Sequence, residues 1–203
     1  MVQLFVDGGG FMIPILLIFI IGLAFVIERL YHLIKGLSSD ETFAEEIANT
    51  VKSSGIDSAK TQCEDAQGPV ANLCLAALDR AHLGAKEAEH ALDYSGSIEM
   101  ASMEKNMTWI SLCIATAPML GFLGTVWGMI QAFNDIKMAN DISPAVVAGG
   151  ISVALLTTAF GLVVAVVLQI FQNAVMYIID NQIVTLQKST TALLHAIKDS
   201  NKN

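Results

Sequence analysis

Three stretches of the chain contain no Asp, Glu, Lys or Arg: Gly8 to Ile27, Asn106 to Asn134, and Ile142 to Ile179. Each is long enough to cross a bilayer as a helix. The third, at 1.5 Å per residue, measures about 57 Å against a hydrocarbon core of about 30 Å, so it spans and projects well beyond. Its apolar surface is interrupted by Gly150, Ala154, Thr158, Gly161, Ala165, Gln169 and Gln172, which recur at helical spacing. A second stripe runs through Ala117, Gly121, Thr125, Gly128 and Ala132 in the middle span. Such stripes face protein or water rather than lipid, and close helix packing is their simplest use.

Between the first and second spans the pattern becomes amphipathic. Ser38 to Glu41 has the capping-box form, and Phe43, Ile47 and Val51 recur every fourth residue up to Ser54-Gly55. A weaker helix is expected over Ile56 to Gln67. Gly68-Pro69 then restarts the chain, and Val70, Leu73, Cys74, Ala77, Leu78 and Ala81 mark one buried face. From Lys86 onward a single extended helix, interrupted only at Ser95-Gly96-Ser97, is expected to run into the second span. The expected organisation is 1–35 for an outer segment and first span, 36–105 for a helical cytoplasmic region, and 106–134 for the second span. A short outer loop over 135–141, the third span over 142–180 and a cytoplasmic tail over 181–203 complete it.

Composition agrees with this division. The 203 residues are 54% apolar and 15% charged, too poor in charge for an ordinary soluble domain. The fold class is an all-α membrane protein with three transmembrane helices, the second and third extending into the cytoplasm. The net charge of −8 belongs to the water-facing part and excludes a nucleic-acid binder. With the N-terminus outside, only Lys137 of the basic residues lies outside, whereas Arg29, Lys35, Lys105 and Lys188 flank the spans inside. The first span reads as a retained anchor, because Met1 to Gly10 has no basic residue and no cleavage site follows. Cys63, Cys74 and Cys113 form no CxxC pair and read as isolated reduced thiols.

Candidate chemistry is sparse. No nucleophile elbow, P-loop or dinucleotide fingerprint is present, so neither an enzyme nor a cofactor is indicated. His82, Glu87, Glu89 and His90 lie on a charged helix without a metal-ligand spacing and read as a solvated face. Glu28 beside Arg29 reads as an interfacial anchor rather than a proton carrier. Pro118 is expected to kink the second span and free a backbone carbonyl. Thr125, Thr157 and Thr158 remain as polar groups within the spans. A lone threonine in a helix usually satisfies itself one turn back. A threonine on each of two antiparallel spans, both on small faces, can instead ring a central space. Counted from the outer loop, however, Thr125 lies about 15 Å in and Thr158 about 26 Å in. No residue able to titrate near neutral pH lies in the middle of a span, so a carboxylate for any proton pathway must come from a partner.

The motifs Gly121-Phe-Leu-Gly-Thr-Val-Trp-Gly128, preceded by Ala117-Pro118, and Ala154-Leu-Leu-Thr-Thr-Ala-Phe-Gly-Leu162 resemble those of the MotA/TolQ/ExbB proton channel family. The first is especially similar to the TolQ and ExbB branch, and the topology is similar over the whole chain. The resemblance implies a bacterial inner-membrane protein with a periplasmic N-terminus, assembled as a homopentamer. Inside the pentamer a single-span ExbD/TolR-like partner supplies an aspartate, and proton flow drives a TonB-like or other envelope protein. It implies Thr125 and Thr158 as pore threonines, with Thr157 and Ser152 as further hydroxyls. Pro118, Gly121, Gly124, Gly128, Ala154, Gly161 and Ala165 are implied on the packing or pore face. Val153 stands where many ExbB and TolQ sequences carry a glutamate, and Ser152-Val-Ala-Leu-Leu-Thr-Thr158 is more similar to the MotA branch. A TolQ-like, gliding or flagellar-type stator is the alternative load. A non-conducting membrane scaffold is the alternative of another class.

Overall fold

The computed structural model describes residues 5, 7–36, 41–66, 68–139 and 144–200. They form seven α-helices: α1 (Met12–Gly36), α2 (Glu41–Ser54), α3 (Ile56–Asp65), α4 (Pro69–Arg80), α5 (Ala85–Met103), α6 (Met107–Ala139) and α7 (Pro144–Ser200). A 3-10 turn over Ala81–Leu83 joins α4 to α5. Three of the described helices are long and apolar enough to cross a membrane. Backbone contacts divide the chain into two compact units, Met1–Arg29 with Asn106–Val175, and Leu30–Lys105 with Met176–Asn203.

The first unit holds the uncharged spans. Its core joins α1, α6 and α7 through buried Ile15, Cys113, Ala117, Val164 and Leu168, with Ile18, Phe19, Ile114 and Leu120 packed against them. Phe25 stacks on Trp109 with ring centroids 6.2 Å apart. Arg29 is buried and pairs with Glu28 at 2.7 Å, while Asn106 Nδ2 donates to Glu28 Oε2 at 3.0 Å. Asn106 has φ of 65°, in the left-handed region that asparagine tolerates better than other side-chain-bearing residues.

That residue corrects one expectation. The helix from Lys86 passes unbroken through Ser95-Gly96-Ser97, where Ser97 Oγ donates back to the Tyr94 carbonyl at 2.7 Å. It ends instead at Met103, and a turn over 104–106 precedes α6. The break comes where Asn106 is held by Glu28 in a non-helical conformation. The connection between α6 and α7 also differs, because α6 continues through Asp135 to Ala139 where a loop was expected. The connection that remains, 140–143, lies outside the described residues, as do most of the Ser38 to Glu41 capping pattern and Gln67.

The second unit is built from amphipathic faces. On α2, Ala44, Ile47, Ala48 and Val51 are buried, and on α4 Val70, Leu73, Cys74, Ala77 and Leu78 are buried together with Ala81 just beyond it. Burying one such Leu contributes about 1.5–3 kcal/mol, which is where these short helices obtain their stability. The expected tail proves helical. Ile179, Leu186, Leu193, Ala196 and Ile197 of α7 are buried at turn spacing, and Gln182 Nε2 donates to the Leu33 carbonyl at 3.0 Å. Lys198 pairs with Glu89 at 3.7 Å on the exposed surface, and Lys60 with Asp79 at 2.5 Å.

Candidate functional site

Both small-residue stripes are used against each other. A Cβ placed on Gly161 would lie 2.6 Å from the Ala117 carbonyl oxygen and 3.2 Å from Gly121 Cα. One on Gly121 would lie 2.9 Å from the Thr157 oxygen and 3.0 Å from Thr158 Cα, and one on Gly128 would lie 3.1 Å from Ala154 Cβ. Gly150 abuts Ala132 in the same way. The backbones of α6 and α7 therefore meet directly, which is what small residues permit in a medium that gives helices no hydrophobic reason to associate. Ala165 and Ala154 are buried in this packing unit. Pro118 lies within α6 and removes one helical hydrogen bond, that to the Ile114 carbonyl, without ending the helix.

This packing brings the threonines level. Thr125 Oγ1 and Thr158 Oγ1 are 3.1 Å apart, although counting from the outer loop separated them by two helical turns. The discrepancy disappears with the observed helix ends, since Thr125 lies fourteen residues before Ala139 and Thr158 fourteen residues after Pro144. Thr158 Oγ1 donates to the Gly121 carbonyl at 3.0 Å, and Thr125 Oγ1 approaches the Phe122 carbonyl at 2.6 Å and that of Gly121 at 3.4 Å. Each hydroxyl has one proton to donate. Two protons thus serve three kinds of acceptor: the Gly121 carbonyl, the Phe122 carbonyl and the other hydroxyl. Each arrangement leaves lone pairs on the partly exposed oxygens. Hydroxyls cannot ionise near neutral pH, so the pair can orient and accept a hydrogen bond but cannot itself carry charge.

The other residues singled out in the sequence lie elsewhere. Thr157 is 1% exposed and donates to the Ala154 carbonyl at 2.7 Å, so its hydroxyl is committed inside the chain and does not join the pair. It lines, with Gly124, Gly128, Trp127, Gln131 and Val153, a cavity of about 400 Å³ closed on the other side by Gly8 to Phe11. A Cβ placed on Gly9 would lie 3.5 Å from Val153 Cγ1, so this position faces the N-terminal segment. A Cβ on Gly124 would lie 2.6 Å from Thr157 Oγ1, which fixes the small residue at that point. Ser152 is exposed on another face of α7. A contact absent from the candidate residues is Gln172 Nε2 to Ser111 Oγ at 2.6 Å, which ties the N-terminal part of α6 to the middle of α7. The serine, about four turns from Thr125, carried no signal beyond its polarity.

His82, Glu87, Glu89 and His90 are exposed, and no group of three or more metal-ligating side chains occurs among the described residues. Cys63, Cys74 and Cys113 are buried, free thiols.

Residues 65–188 match the model of the MotA/TolQ/ExbB proton channel family. The chain is 30% identical over 182 residues to an ExbB homolog of Methanothermobacter thermautotrophicus, covering 89% of this chain and 64% of that protein. It is 26% identical over 185 residues to the ExbB-like 3 protein of Synechocystis, covering 90% of this chain and 88% of that protein. A shorter match, 43% identical over 67 residues, joins it to the biopolymer transport protein ExbB of Neisseria gonorrhoeae, covering 33% of this chain and 30% of that protein. The chain spans just under two thirds of the length of the Methanothermobacter relative. With three helices able to cross a membrane and a family match over most of its length, the chain is a membrane protein belonging to the MotA/TolQ/ExbB proton channel family.

Proposed function

We propose that this chain is the channel-forming subunit of an inner-membrane motor of the ExbB type. Five copies surround a pore walled by α6 and α7, with the N-terminus periplasmic and the C-terminus cytoplasmic. A single-span partner of the ExbD or TolR kind lies inside and supplies the aspartate that takes up and releases the proton. The resulting movement acts on a TonB-like protein. Membership of a proton channel family and similarity to proteins named ExbB support this reading.

The observation that carries it is the Thr125–Thr158 pair. Two hydroxyls 3.1 Å apart, partly exposed and set amid uncharged helix, offer lone pairs and protons to a carboxyl group that the spans themselves do not contain. Pore lining is therefore assigned to Thr125 and Thr158, with Thr157 supporting the helix contact. Exposed Trp109, Met119, Phe122, Leu155, Val163 and Ile170 give α6 and α7 apolar surface for lipid and neighbouring subunits. A non-conducting scaffold is the second reading, favoured by the use of both stripes in packing within one chain. A TolQ-like, gliding or flagellar-type stator would be the same engine with another load.

Co-reconstitution with the single-span partner distinguishes them. Thr158→Val is expected to abolish ion flux while the complex still assembles, and Thr125→Val to act likewise. Normal flux through Thr158→Val would remove the pore assignment. Flux from this chain without a partner would refute the argument that the carboxylate is supplied from outside. A neighbouring reading frame encoding one span with an aspartate near its start would favour the motor over the scaffold.

A further inference from the structure

The cavity of about 400 Å³ beside α6 lies wholly within the unit that carries the uncharged spans. Gly124, Gly128 and Thr157 form its buried floor, whereas Gly9, Gly10, Trp127 and Gln131 are exposed, so it opens at the surface between them. Contact between α6 and α7 keeps the floor bare. A Cβ on Gly124 would lie 2.6 Å from Thr157 Oγ1, and one on Gly128 3.1 Å from Ala154 Cβ.

We propose that this cavity is a lipid-binding site: it takes one acyl chain of a bilayer phospholipid, and the Gln131 amide at its rim donates to the ester carbonyl at the head of that chain. The site requires only that the chain sits in a bilayer, and is independent of the proposed pore.

Trp127 stands two residues beyond Thr125, about 200° round α6, so the mouth is turned away from the threonine pair. Leu123, Trp127 and Ile130 recur on that face of an uncharged span and are each about half exposed, a surface suited to hydrocarbon. Below the rim the walls are Phe11, Pro14, Trp127 and Val153, and the Thr157 hydroxyl is spent on the Ala154 carbonyl. Water needs about two to four polar partners and finds none there, while an empty space forfeits dispersion contacts along its whole lining. The volume is more than twice the roughly 150 Å³ at which an apolar cavity already admits benzene. Gln131 supplies the polar end. Its side chain is exposed on this apolar face, and among the described residues its amide has no hydrogen-bond partner. An amide left bare to hydrocarbon is costly, and an ester carbonyl is the acceptor that a lipid brings. Gln131 lies nearer the end of α6, and Gly124 is about 10 Å deeper along it. That is how a lipid lies, with its ester toward water and its tail toward the midplane.

The test places the full-length protein in phosphatidylethanolamine and phosphatidylglycerol vesicles containing a phosphatidylcholine with a diazirine on one acyl chain, and maps adducts by peptide mass spectrometry after photolysis. Adducts are expected on 11–14, 124–131 and 153–157 in excess of those at Leu17 and Ile20, which are exposed on α1 away from the cavity lining. Val153→Phe fills the space and should lower the cavity adducts by about tenfold or more, with Leu17 and Ile20 labelled as before. Val153→Leu, a smaller filling that is easier to fold, should lower them by about threefold. Gln131→Leu should lower them about threefold to tenfold, the worth of one hydrogen bond. Cavity walls labelled no more than Leu17 and Ile20 would overturn the proposal, as when a second copy of this chain fills the space. Labelling that both Val153 variants leave unchanged would overturn it too, and labelling unchanged by Gln131→Leu would overturn the contact to the ester.

Discussion

Gly161→Ala tests the direct meeting of α6 and α7. The added Cβ would stand 2.6 Å from the Ala117 carbonyl oxygen, a backbone atom that cannot rotate away. An ordinary carbon–oxygen contact is about 3.3 Å, so the helices must part by about 0.7 Å. A parting of that size would carry the Thr125–Thr158 distance from 3.1 Å to about 3.8 Å, beyond hydrogen bonding. Overpacking costs about 1–3 kcal/mol, and the lost interhelical hydrogen bond about 0.6 kcal/mol. The better helix propensity of alanine returns about 1 kcal/mol. The net loss is about 0.6–2.6 kcal/mol, whose midpoint, for a chain of this size, lowers Tm by about 5 °C. Thermal unfolding in detergent, followed by near-ultraviolet circular dichroism, measures it. Gly149→Ala is the control, because a Cβ there meets nothing within 4 Å and alanine should be neutral or slightly stabilising. If Gly161→Ala unfolds at the wild-type temperature or above, the backbone contact described for these helices is wrong.

Other outcomes follow from the same structure. Leu193→Ala removes a fully buried side chain of α7 and should cost about 2–5 kcal/mol in chemical unfolding, whereas a solvated tail would show almost no change. Asn106→Gly keeps the left-handed backbone and loses only the contact to Glu28. Asn106→Ala also bears the left-handed strain and should be less stable than the glycine variant by about 1 kcal/mol, read as a difference in denaturation midpoint. A double variant of Gln172→Ala with Ser111→Ala should lose about as much stability as either single change, since each already removes their shared hydrogen bond.

The spans, the amphipathic helices and the buried face of α4 were legible because hydrophobic period and length decide them locally. The joint before α6 was not, since nothing near Asn106 in sequence says that Glu28 will hold its side chain. The C-terminal part of α7 was also hidden. Leu186, Leu193, Ala196 and Ile197 keep helical spacing, but Gln, Lys, Ser and Thr between them dilute the pattern into what a polar tail would show. The small stripes could be seen as surfaces that avoid lipid. That each is the other's partner depends on register, and register depended on where α6 ends and α7 begins. The level pairing of Thr125 with Thr158 follows from those helix ends. Its distinction from Thr157 follows from burial that composition cannot supply.

The threonine pair has more acceptors than protons, and this surplus has a consequence for vectorial transport. Its two hydroxyl protons can be redistributed by rotating about single bonds, with no movement of the helices, so neither sense of the hydrogen-bond chain is built into the pair. A contact that reverses so readily is permissive in both directions and rectifies nothing. In the proposed motor, the asymmetry that turns a gradient into one-way motion therefore resides in the unequal surroundings of the partner's carboxyl group on its two aqueous sides.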